Sequence, residues 1–275
     1  MVNDDLTGVA GLVELSKKLL NRQNHYTYRL FLLPETIGSM ALLSQNEDFI
    51  DKIKCGVFFE MLGTKAELIL QHSKQKNTTI DTISSSVFKN NLATYKELPF
   101  IGEMANDEQV WNGPGINIPM ISIGRGHYPE YHTSNDTPQI VSYSNITQSI
   151  EIVSKILEKL DIEHIPELLT KETNDEKIRE RKQKNHEPVI DDYIPKRLFK
   201  GPVFLSGYGL YPNKKYNLYD NLSDDACKVR LLFNYFEGDK SISEISKILH
   251  WDFKKTLSWT NKFLEKGLIK KIEIK

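Results

Sequence analysis

Four short polar motifs carry the residues best suited to chemistry in this sequence. They are NDDLTG at 3–8, PETIGS at 34–39, FFEMLG at 58–63 and YHTSNDT at 131–137. Each motif lies at a predicted junction between a strand or helix and a loop. A catalytic zinc ion takes three nitrogen or oxygen ligands from the protein and keeps one position for water. Asp4, Glu60 and His132 would supply such a set if their loops converge.

Most of these residues also have a simpler structural explanation. Asp4 is well placed to cap a helix, and Glu35 after a proline could be an ordinary surface carboxylate. A single histidine such as His132 is more often structural than a ligand. Glu60 is harder to explain in this way, because burying a carboxylate without a partner costs several kcal/mol.

The elements around the motifs indicate an α/β domain. Apolar residues at helical spacing predict a helix over 8–20, and the run YRLFLL predicts a buried strand over 28–33. A short helix near 40–44, a second buried strand over 54–62 and a helix over 144–160 follow. This alternation predicts a mostly parallel mixed sheet flanked by helices, which we assign to residues 1–160.

The second half of the chain differs in composition. Residues 161–200 are rich in charged residues and predict a solvent-exposed connector. Residues 201–275 show three helices and a terminal strand, with Ser241 and Asp252 as N-caps and Gly267 at a helix end. This pattern predicts a small C-terminal winged helix-turn-helix domain.

Charge and hydropathy restrict the partners. A formal net charge of -1 argues against nucleic acid as a partner and against binding to an anionic membrane surface. The sequence has no apolar run long enough for a membrane span and no secretory signal pattern, so we expect a cytoplasmic protein. Its two cysteines, Cys55 and Cys227, are far apart, which argues against a disulfide framework.

The four motifs, in this order, resemble those of the zinc aminopeptidase family that includes bacterial leucyl aminopeptidases and glutaminyl cyclases. NDDLTGVAGLVEL is similar to the Asp-bearing helix start of that family, PETIGS to its general-base loop, and GPGINIPMISIGRGHYPEYHTSNDT to its final His motif. The segment GPVFLSGYGLYPN and the helices after it resemble a subgroup with a C-terminal winged helix.

The resemblance implies a role for each matching residue. It makes Asp4, Glu60 and His132 the zinc ligands, Glu35 the general base, and Tyr131 a residue that steadies the oxyanion.

Four further residues receive weaker assignments. Asp136 would orient His132, as carboxylates commonly do for a metal-bound imidazole. Asp107 and Glu108 match a subgroup motif and could contact substrate. Arg125 could receive a substrate carboxylate, because its planar guanidinium suits bidentate pairing. His127 is a rival of His132 that lacks the motif match.

The sequence also departs from the family pattern. The upstream histidine ligand of the family is absent before Asp4, and Glu35 is followed by Thr36 rather than by a second acidic residue. We therefore expect one zinc ion rather than two. We also expect a chain that lacks the N-terminal part of the domain and has an exposed sheet edge. A separately encoded N-terminal fragment or a second copy of the chain would then be a partner.

Two classes of function follow. The first is a zinc-dependent hydrolase that cleaves N-terminal peptide or amide bonds of a peptide or amino-acid amide, with activity impaired by the missing part. The alternative is a catalytically inactive protein, either a binding or assembly protein or a winged-helix DNA-binding regulator.

Overall fold

The computed structural model describes residues 1–101, 106–163, 191–211 and 225–274. The chain divides into two compact units, one formed by Met1–Asn112 with Ile118–Pro166 and the other by Gly113–Asn117 with Glu167–Lys275. The first unit contains all four polar motifs. Most of the predicted charged connector over 161–200 lies outside the described residues.

The first unit contains both helices and strands. A turn over Val2–Leu6 precedes the first helix. The helices are α1 (Thr7–Leu20), α2 (Ile37–Gln45), α3 (Glu47–Ile50), α4 (Thr79–Asn91), α5 (Glu108–Trp111) and α6 (Tyr143–Glu163). The strands are β1 (Gly56–Glu60), β2 (Leu68–Gln71), β3 (Lys96–Leu98) and β4 (Met120–Arg125). Within the described ranges, no helix has the length and apolarity that a bilayer crossing requires.

The four strands form one mixed sheet in the order β1-β4-β2-β3. β1 runs parallel to β4 and β2 parallel to β3, whereas β2 and β4 are antiparallel. Glu60 is paired with Gly124, so β1 and β4 end at the same edge of the sheet. The loops that carry Met61 and the YHTSNDT motif therefore start side by side. The predicted α/β fold with a parallel-rich sheet flanked by helices is confirmed.

One face of the sheet forms the hydrophobic core. Leu68, Leu70, Ile121 and Ile123 of the sheet pack in one cluster with residues of three helices. The helical residues of that cluster are Leu15 and Leu19 of α1, Ile80, Ile83, Val87 and Phe88 of α4, and Ile150, Ile152, Val153, Ile156, Leu157 and Leu160 of α6. The apolar spacing of α1 and α6 was visible in the sequence because each helix buries one face.

The prediction of a strand over 28–33 was wrong. In the part of the chain that the structure describes, these residues are not in a helix or strand, although they still pack. The Tyr28 hydroxyl donates to the Leu157 carbonyl at 3.1 Å, and the Phe31 ring lies 5.7 Å from that of Trp111. An apolar run forms a strand only if a neighbouring strand pairs with its backbone, and no described strand does so here.

The second unit contains three described helices, α7 (Asp225–Leu232), α8 (Ile242–Ile248) and α9 (Phe253–Glu265), and the antiparallel strands β5 (Ile194–Arg197) and β6 (Ile269–Ile272). The side chains of Ser241 and Asp252 cap α8 and α9 by accepting from the backbone amides of Glu244 and Lys255. Gly267 has a φ of 68° just beyond α9, so all three predicted helix ends are confirmed. The winged helix-turn-helix stays a prediction, since β6 pairs with a strand that precedes the helices.

The buried carboxylate of Asp81, in contact with the partly buried His72, fixes the start of α4. The carboxylate of Asp81 is bound by His72 Nδ1 at 3.1 Å, by the Ser73 amide at 2.8 Å and by the Thr78 amide at 3.1 Å. Burial would raise the pKa of Asp81, but the hydrogen bonds from His72, Ser73 and Thr78 outweigh it and lower the pKa to about 2. The hydrogen bond to Asp81 raises the pKa of His72.

We predict that His72→Gln destabilises the chain in a pH-dependent way. The raised pKa means that the histidine contributes stability below its unfolded pKa of about 6.5 and loses that contribution as the pH rises through its folded pKa. The contribution of Asp81 disappears only as the pH falls toward 2. Urea denaturation at about pH 5.5 should show a loss of about 1–2 kcal/mol, and at about pH 9 a smaller loss. The exposed control His25→Gln should show no such difference, and an equal loss at both pH values would contradict this account.

Candidate functional site

The structure brings Asp4 and His132 together beside the carboxyl end of β1. Asp4 Oδ2 lies 3.4 Å from His132 Nε2, although 128 positions separate the two residues in the sequence. Asp4 lies in the turn before α1, where its φ of -109° and ψ of 93° are not helical. The peptide bond between Asp4 and Asp5 is cis. The first and last of the four motifs therefore meet, as the zinc hypothesis requires.

Asp136 causes this meeting. Its carboxylate accepts the backbone amides of Val2 at 3.1 Å, Asn3 at 2.7 Å and Asp4 at 3.1 Å, and the Tyr128 hydroxyl at 3.1 Å. Burial opposes ionisation, but these hydrogen bonds lower the pKa of Asp136. The sequence predicted that Asp136 orients His132. Its described hydrogen bonds instead anchor residues 2–4 against the loop that carries His132.

Tyr131 holds the imidazole of His132 from one side. The two rings are stacked, with centroids 3.8 Å apart and an angle of 20° between their planes. Tyr131 in turn packs edge-on against Tyr128 at 5.8 Å. The tyrosine that the sequence assigned to the oxyanion thus lies next to the proposed zinc ligand.

Asp107 positions the loop that carries Glu35. Its carboxylate accepts the Thr36 amide at 3.0 Å and the Ser39 hydroxyl, and Trp111 Nε1 donates to that same hydroxyl at 3.0 Å. Asp107 is only 7% exposed. The sequence predicted a substrate contact for Asp107, but its carboxylate oxygens are used to hold PETIGS in place.

Glu35 lies in the electrostatic field of the Asp4–His132 pair. Partial burial raises the pKa of Glu35, the negative charges of Asp4 and Asp107 raise it further, and His132 lowers it. A carboxylate whose pKa is moved toward neutrality is a more effective general base than a fully solvated one. The charges of Asp4, Asp107 and His132 therefore all act on Glu35, and its role as general base stays a prediction.

Glu60 ends β1 in a buried polar layer. It is 5% exposed, and Asn106 Nδ2 donates to its Oε2 at 2.7 Å. Glu108 lies nearby, fully buried, and accepts the Asn106 amide at 3.0 Å and Gln71 Nε2 at 3.2 Å. Burial is the main cause that raises the pKa of Glu60 well above its usual range and that of Glu108 to about 7. Glu108 was predicted to contact substrate, but its contacts are internal.

Arg125 is also used internally. Its Nε donates to the Ser149 hydroxyl at 3.1 Å, and one terminal nitrogen donates to the Ala66 carbonyl at 2.9 Å. The side chain is buried at the end of β4. Arg125 thus ties α6 to the loop before β2, whereas the sequence suggested that it binds a substrate carboxylate.

Three residues that were not predicted to have a role fix the backbone that follows Glu60: Asn3, Asp5 and Thr7. Asp5 Oδ1 accepts the Met61 amide at 2.8 Å, Thr7 Oγ1 accepts the Leu62 amide at 2.9 Å, and Asn3 Oδ1 accepts the Gly63 amide at 2.8 Å. Burial raises the pKa of Asp5 to about 7. The available signal was the cluster N-D-D-x-T, because each of these side chains can accept backbone amides.

Backbone strain marks three of the four motifs. Thr36, Met61 and His132 all have positive φ, at 58°, 53° and 57°, in the region that disfavours residues with a Cβ. Thr36 follows Glu35 and Met61 follows Glu60. Such strained residues cost about 1–3 kcal/mol each and are concentrated at functional sites.

The donor set fits zinc in chemistry and only partly in geometry. In a tetrahedral site with bonds of about 2.1 Å, two ligand atoms lie about 3.4 Å apart, which is the separation of Asp4 Oδ2 and His132 Nε2. Glu60 interacts electrostatically with Asp4. However, among the residues described, no three His, Cys, Asp or Glu side chains are gathered as ligands of one ion. The pair fits, and the third ligand is not in place.

Solved structures define the class of fold. A provisionally named peptidase of Clostridium acetobutylicum matches 99% of this chain and 55% of its own, with a TM-score of 0.56 and 22% identity. BSAP, a zinc aminopeptidase from Bacillus subtilis, matches 57% of this chain and 41% of its own, with a TM-score of 0.50 and 16% identity. The chain therefore has an aminopeptidase-like fold.

The family is shown by sequence. Residues 1–163 match the family described as a domain of unknown function, DUF4910, and the chain belongs to that family. A Clostridium acetobutylicum protein, provisionally named a polysaccharide biosynthesis protein with aminopeptidase-like domain, is 31% identical over 159 residues. These residues are 57% of this chain and 36% of that protein, so the chain matches about a third of the length of this relative.

We predict that Asp136→Asn loosens the site by weakening its anchor. An amide side chain has one carbonyl oxygen and no charge, so it cannot accept all three backbone amides as the carboxylate does. We expect the free energy of unfolding to fall by about 2 kcal/mol in urea denaturation at neutral pH. Asp191→Asn, outside this network, is the control. If Asp136→Asn were as stable as the wild-type chain, Asp136 would not be the residue that joins the two motifs.

Proposed function

We propose that this chain is an aminopeptidase-like hydrolase that cleaves N-terminal peptide or amide bonds with water as the nucleophile. The observation that carries the proposal is the contact between Asp4 and His132, with Glu35 close enough to interact electrostatically with both. The aminopeptidase-like fold and the name of the 31% identical relative support it.

The same residues support zinc as the cofactor. Asp4, His132 and Glu60 would hold one ion, and a zinc ion in such a site lowers the pKa of its bound water to about 7 and polarises a carbonyl group. Thr36 stands after Glu35 in place of a second acidic residue, which favours one ion rather than two. The stack between Tyr131 and His132 would keep the imidazole in one orientation.

The remaining steps use residues of this chain. Glu35 would take the proton of the attacking water, and a pKa raised above its ordinary value makes the carboxylate a stronger base for this role. Asp107 would keep Glu35 in place through the Thr36 amide and the Ser39 hydroxyl. The Tyr131 hydroxyl would donate a hydrogen bond to the oxyanion that develops on the carbonyl oxygen.

The charge of the site indicates which end of a peptide it would accept. Glu35 interacts electrostatically with Asp4 and with Asp107, whereas His132 is the basic group that acts on both Asp4 and Glu35. A negative site attracts a positively charged α-amino group and repels a carboxylate. We therefore propose a peptide with a free N-terminus, or an amino-acid amide, as the substrate.

We predict that Glu35→Gln reduces turnover of aminoacyl-p-nitroanilides by about 10²- to 10⁴-fold, the usual contribution of a general base. Zinc content and the thermal unfolding midpoint should stay at wild-type values, because Glu35 is not proposed as a ligand. Glu67→Gln, at an exposed position before β2, is the matched control and should retain activity.

Two results would contradict the proposal. One is a zinc-loaded chain that releases no amino acid from any substrate with a free N-terminus. The other is a Glu35→Gln variant as active as the wild type. Either result would favour the alternative of a non-catalytic binding or assembly protein.

A further inference from the structure

The sheet has a buried polar layer on the face opposite the hydrophobic core. Leu70 lies in the core cluster and Phe59 packs against it, so by the alternation of a strand Glu60 and Gln71 point to the other face. Glu60 is 5% exposed there, and Gln71 and Glu108 are 0% exposed. Gln71 Nε2 donates to Glu108 Oε1 at 3.2 Å, so the start of α5 covers this layer.

Asn106 connects the two carboxylates of the layer. Its backbone amide donates to both carboxylate oxygens of Glu108, each at 3.0 Å. Its side-chain Nδ2 donates to Glu60 Oε2 at 2.7 Å, a short hydrogen bond of the kind that a charged acceptor makes. Glu108 therefore fixes the backbone at position 106, and from that fixed backbone the side chain of Asn106 reaches Glu60.

The side chain of Asn106 makes one hydrogen bond to the described residues, and that bond is the one to Glu60. The other polar atom of the amide, Oδ1, is buried and has no hydrogen-bond partner among those residues. A buried acceptor without a donor costs free energy. The amide group of Asn106 is thus kept at a cost to stability, and what it provides in return is the contact with Glu60.

The backbone of Glu60 is held independently of Asn106. The residue ends β1 in a parallel pairing with β4, and the amide of the next residue, Met61, donates to Asp5 Oδ1 at 2.8 Å. What stays adjustable is the Glu60 side chain, because a glutamate has many rotamers to choose from. No described donor binds its Oε1. The direction of this one side chain therefore decides whether a third carboxylate ligand joins Asp4 and His132.

We propose that Asn106 is a positioning residue for the metal site, which holds Glu60 by Oε2 and leaves Oε1 for the zinc ion. Groups that bind the ligands of a metal commonly orient them, and their loss lowers metal affinity by about 10- to 100-fold. A carboxylate held by one oxygen can still turn about that hydrogen bond, so Oε1 can approach the ion while Oε2 stays bonded. This inference rests on the zinc site of the proposed function.

The segment 106–108 would then support both halves of the site. Asp107 holds the loop of Glu35 through the Thr36 amide, and Asn106, itself held by Glu108, holds Glu60. The proposed base and the proposed third ligand would therefore be placed by neighbouring residues of one short segment. This gives the segment a role although its carboxylates make internal contacts.

The test measures the zinc affinity of the metal-free 275-residue chain by competition with a chromophoric chelator. Asn106→Leu keeps a branched side chain of similar size and removes both polar atoms. It should weaken zinc binding by about 10- to 100-fold. The metal-free variant should unfold in urea at the wild-type midpoint or above it, because the change also removes a buried oxygen that has no described partner. Asn106→Ala is the second variant and should show the same loss of affinity.

Gln109→Leu is the matched control. Gln109 lies in the same short helix, and its Nε2 donates to the backbone carbonyl of Asn106 at 3.2 Å. The substitution removes a side-chain amide from the same loop and leaves the bond between Asn106 and Glu60 intact. This variant should bind zinc like the wild-type chain.

A double-mutant cycle shows whether Asn106 acts through Glu60. Glu60→Gln should itself weaken zinc binding, because it removes the charge of a ligand. In that background Asn106→Leu should change the zinc affinity by less than about twofold, since the carboxylate that Asn106 positions is already lost. A residue that only supports the fold would lower the affinity by the same factor in both backgrounds and would also lower the urea midpoint.

Two results would overturn the proposal and leave the hydrolase itself standing. One is an Asn106→Leu variant that binds zinc as tightly as the wild-type chain, and the other is an equal loss of affinity in the Glu60→Gln background. A wild-type chain that shows the predicted cycle but releases no amino acid from any substrate would support the positioning role and contradict the proposed function. A wild-type chain that binds no zinc would contradict both.

Discussion

The Asp136 carboxylate is the interaction on which the site depends. By accepting the amides of residues 2–4 it joins the first and last polar motifs, which are otherwise separate loops. The contact between Asp4 and His132 follows from this anchor. Asp136 accepts the amide of Asp4 itself, and His132 lies four positions before Asp136 in the same loop. The same N-terminal turn also holds residues 61–63 through Asn3, Asp5 and Thr7. One short segment therefore holds two loops.

The second constraint is electrostatic. Asp4 and Asp5 are partly buried, Glu60 is buried and Glu35 is exposed beside them, and each has a raised pKa, mainly because loss of surrounding water disfavours the charged form. Such a set is costly unless protons or a cation balance it. His132 lowers the pKa of both Asp4 and Glu35 and so balances part of the charge. A divalent cation between these residues would balance more of it, which is the physical reason for favouring a metal site.

Much of the fold could be predicted from the sequence. Helices α1 and α6 were visible because they bury one face, and the caps Ser241 and Asp252 because their side chains have a local function. The strand over 28–33 was wrongly predicted. An apolar run favours a strand, but a strand forms only where a neighbouring strand pairs with its backbone, and the sequence does not show whether one is there.

The candidate site was predictable in part. The motifs indicated Asp4 and His132, and the structure places them in contact. Asp107, Glu108 and Arg125 have polar side chains in suggestive motifs, but their partners are distant in sequence, so their internal hydrogen bonds could not be anticipated. The anchoring role of Asp136 was missed for the same reason. Three of its partners are backbone amides, which every residue except proline has, so the sequence does not show which of them bind Asp136.

Zinc titration of the metal-free chain, followed by metal analysis after desalting, tests the central claim most directly. The account predicts one zinc ion per chain, lost in His132→Ala and in Asp4→Asn but retained in His127→Ala, whose imidazole lies in the same loop outside the pair. A His132→Ala variant that holds as much zinc as the wild-type chain would show that Asp4 and His132 do not form the metal site.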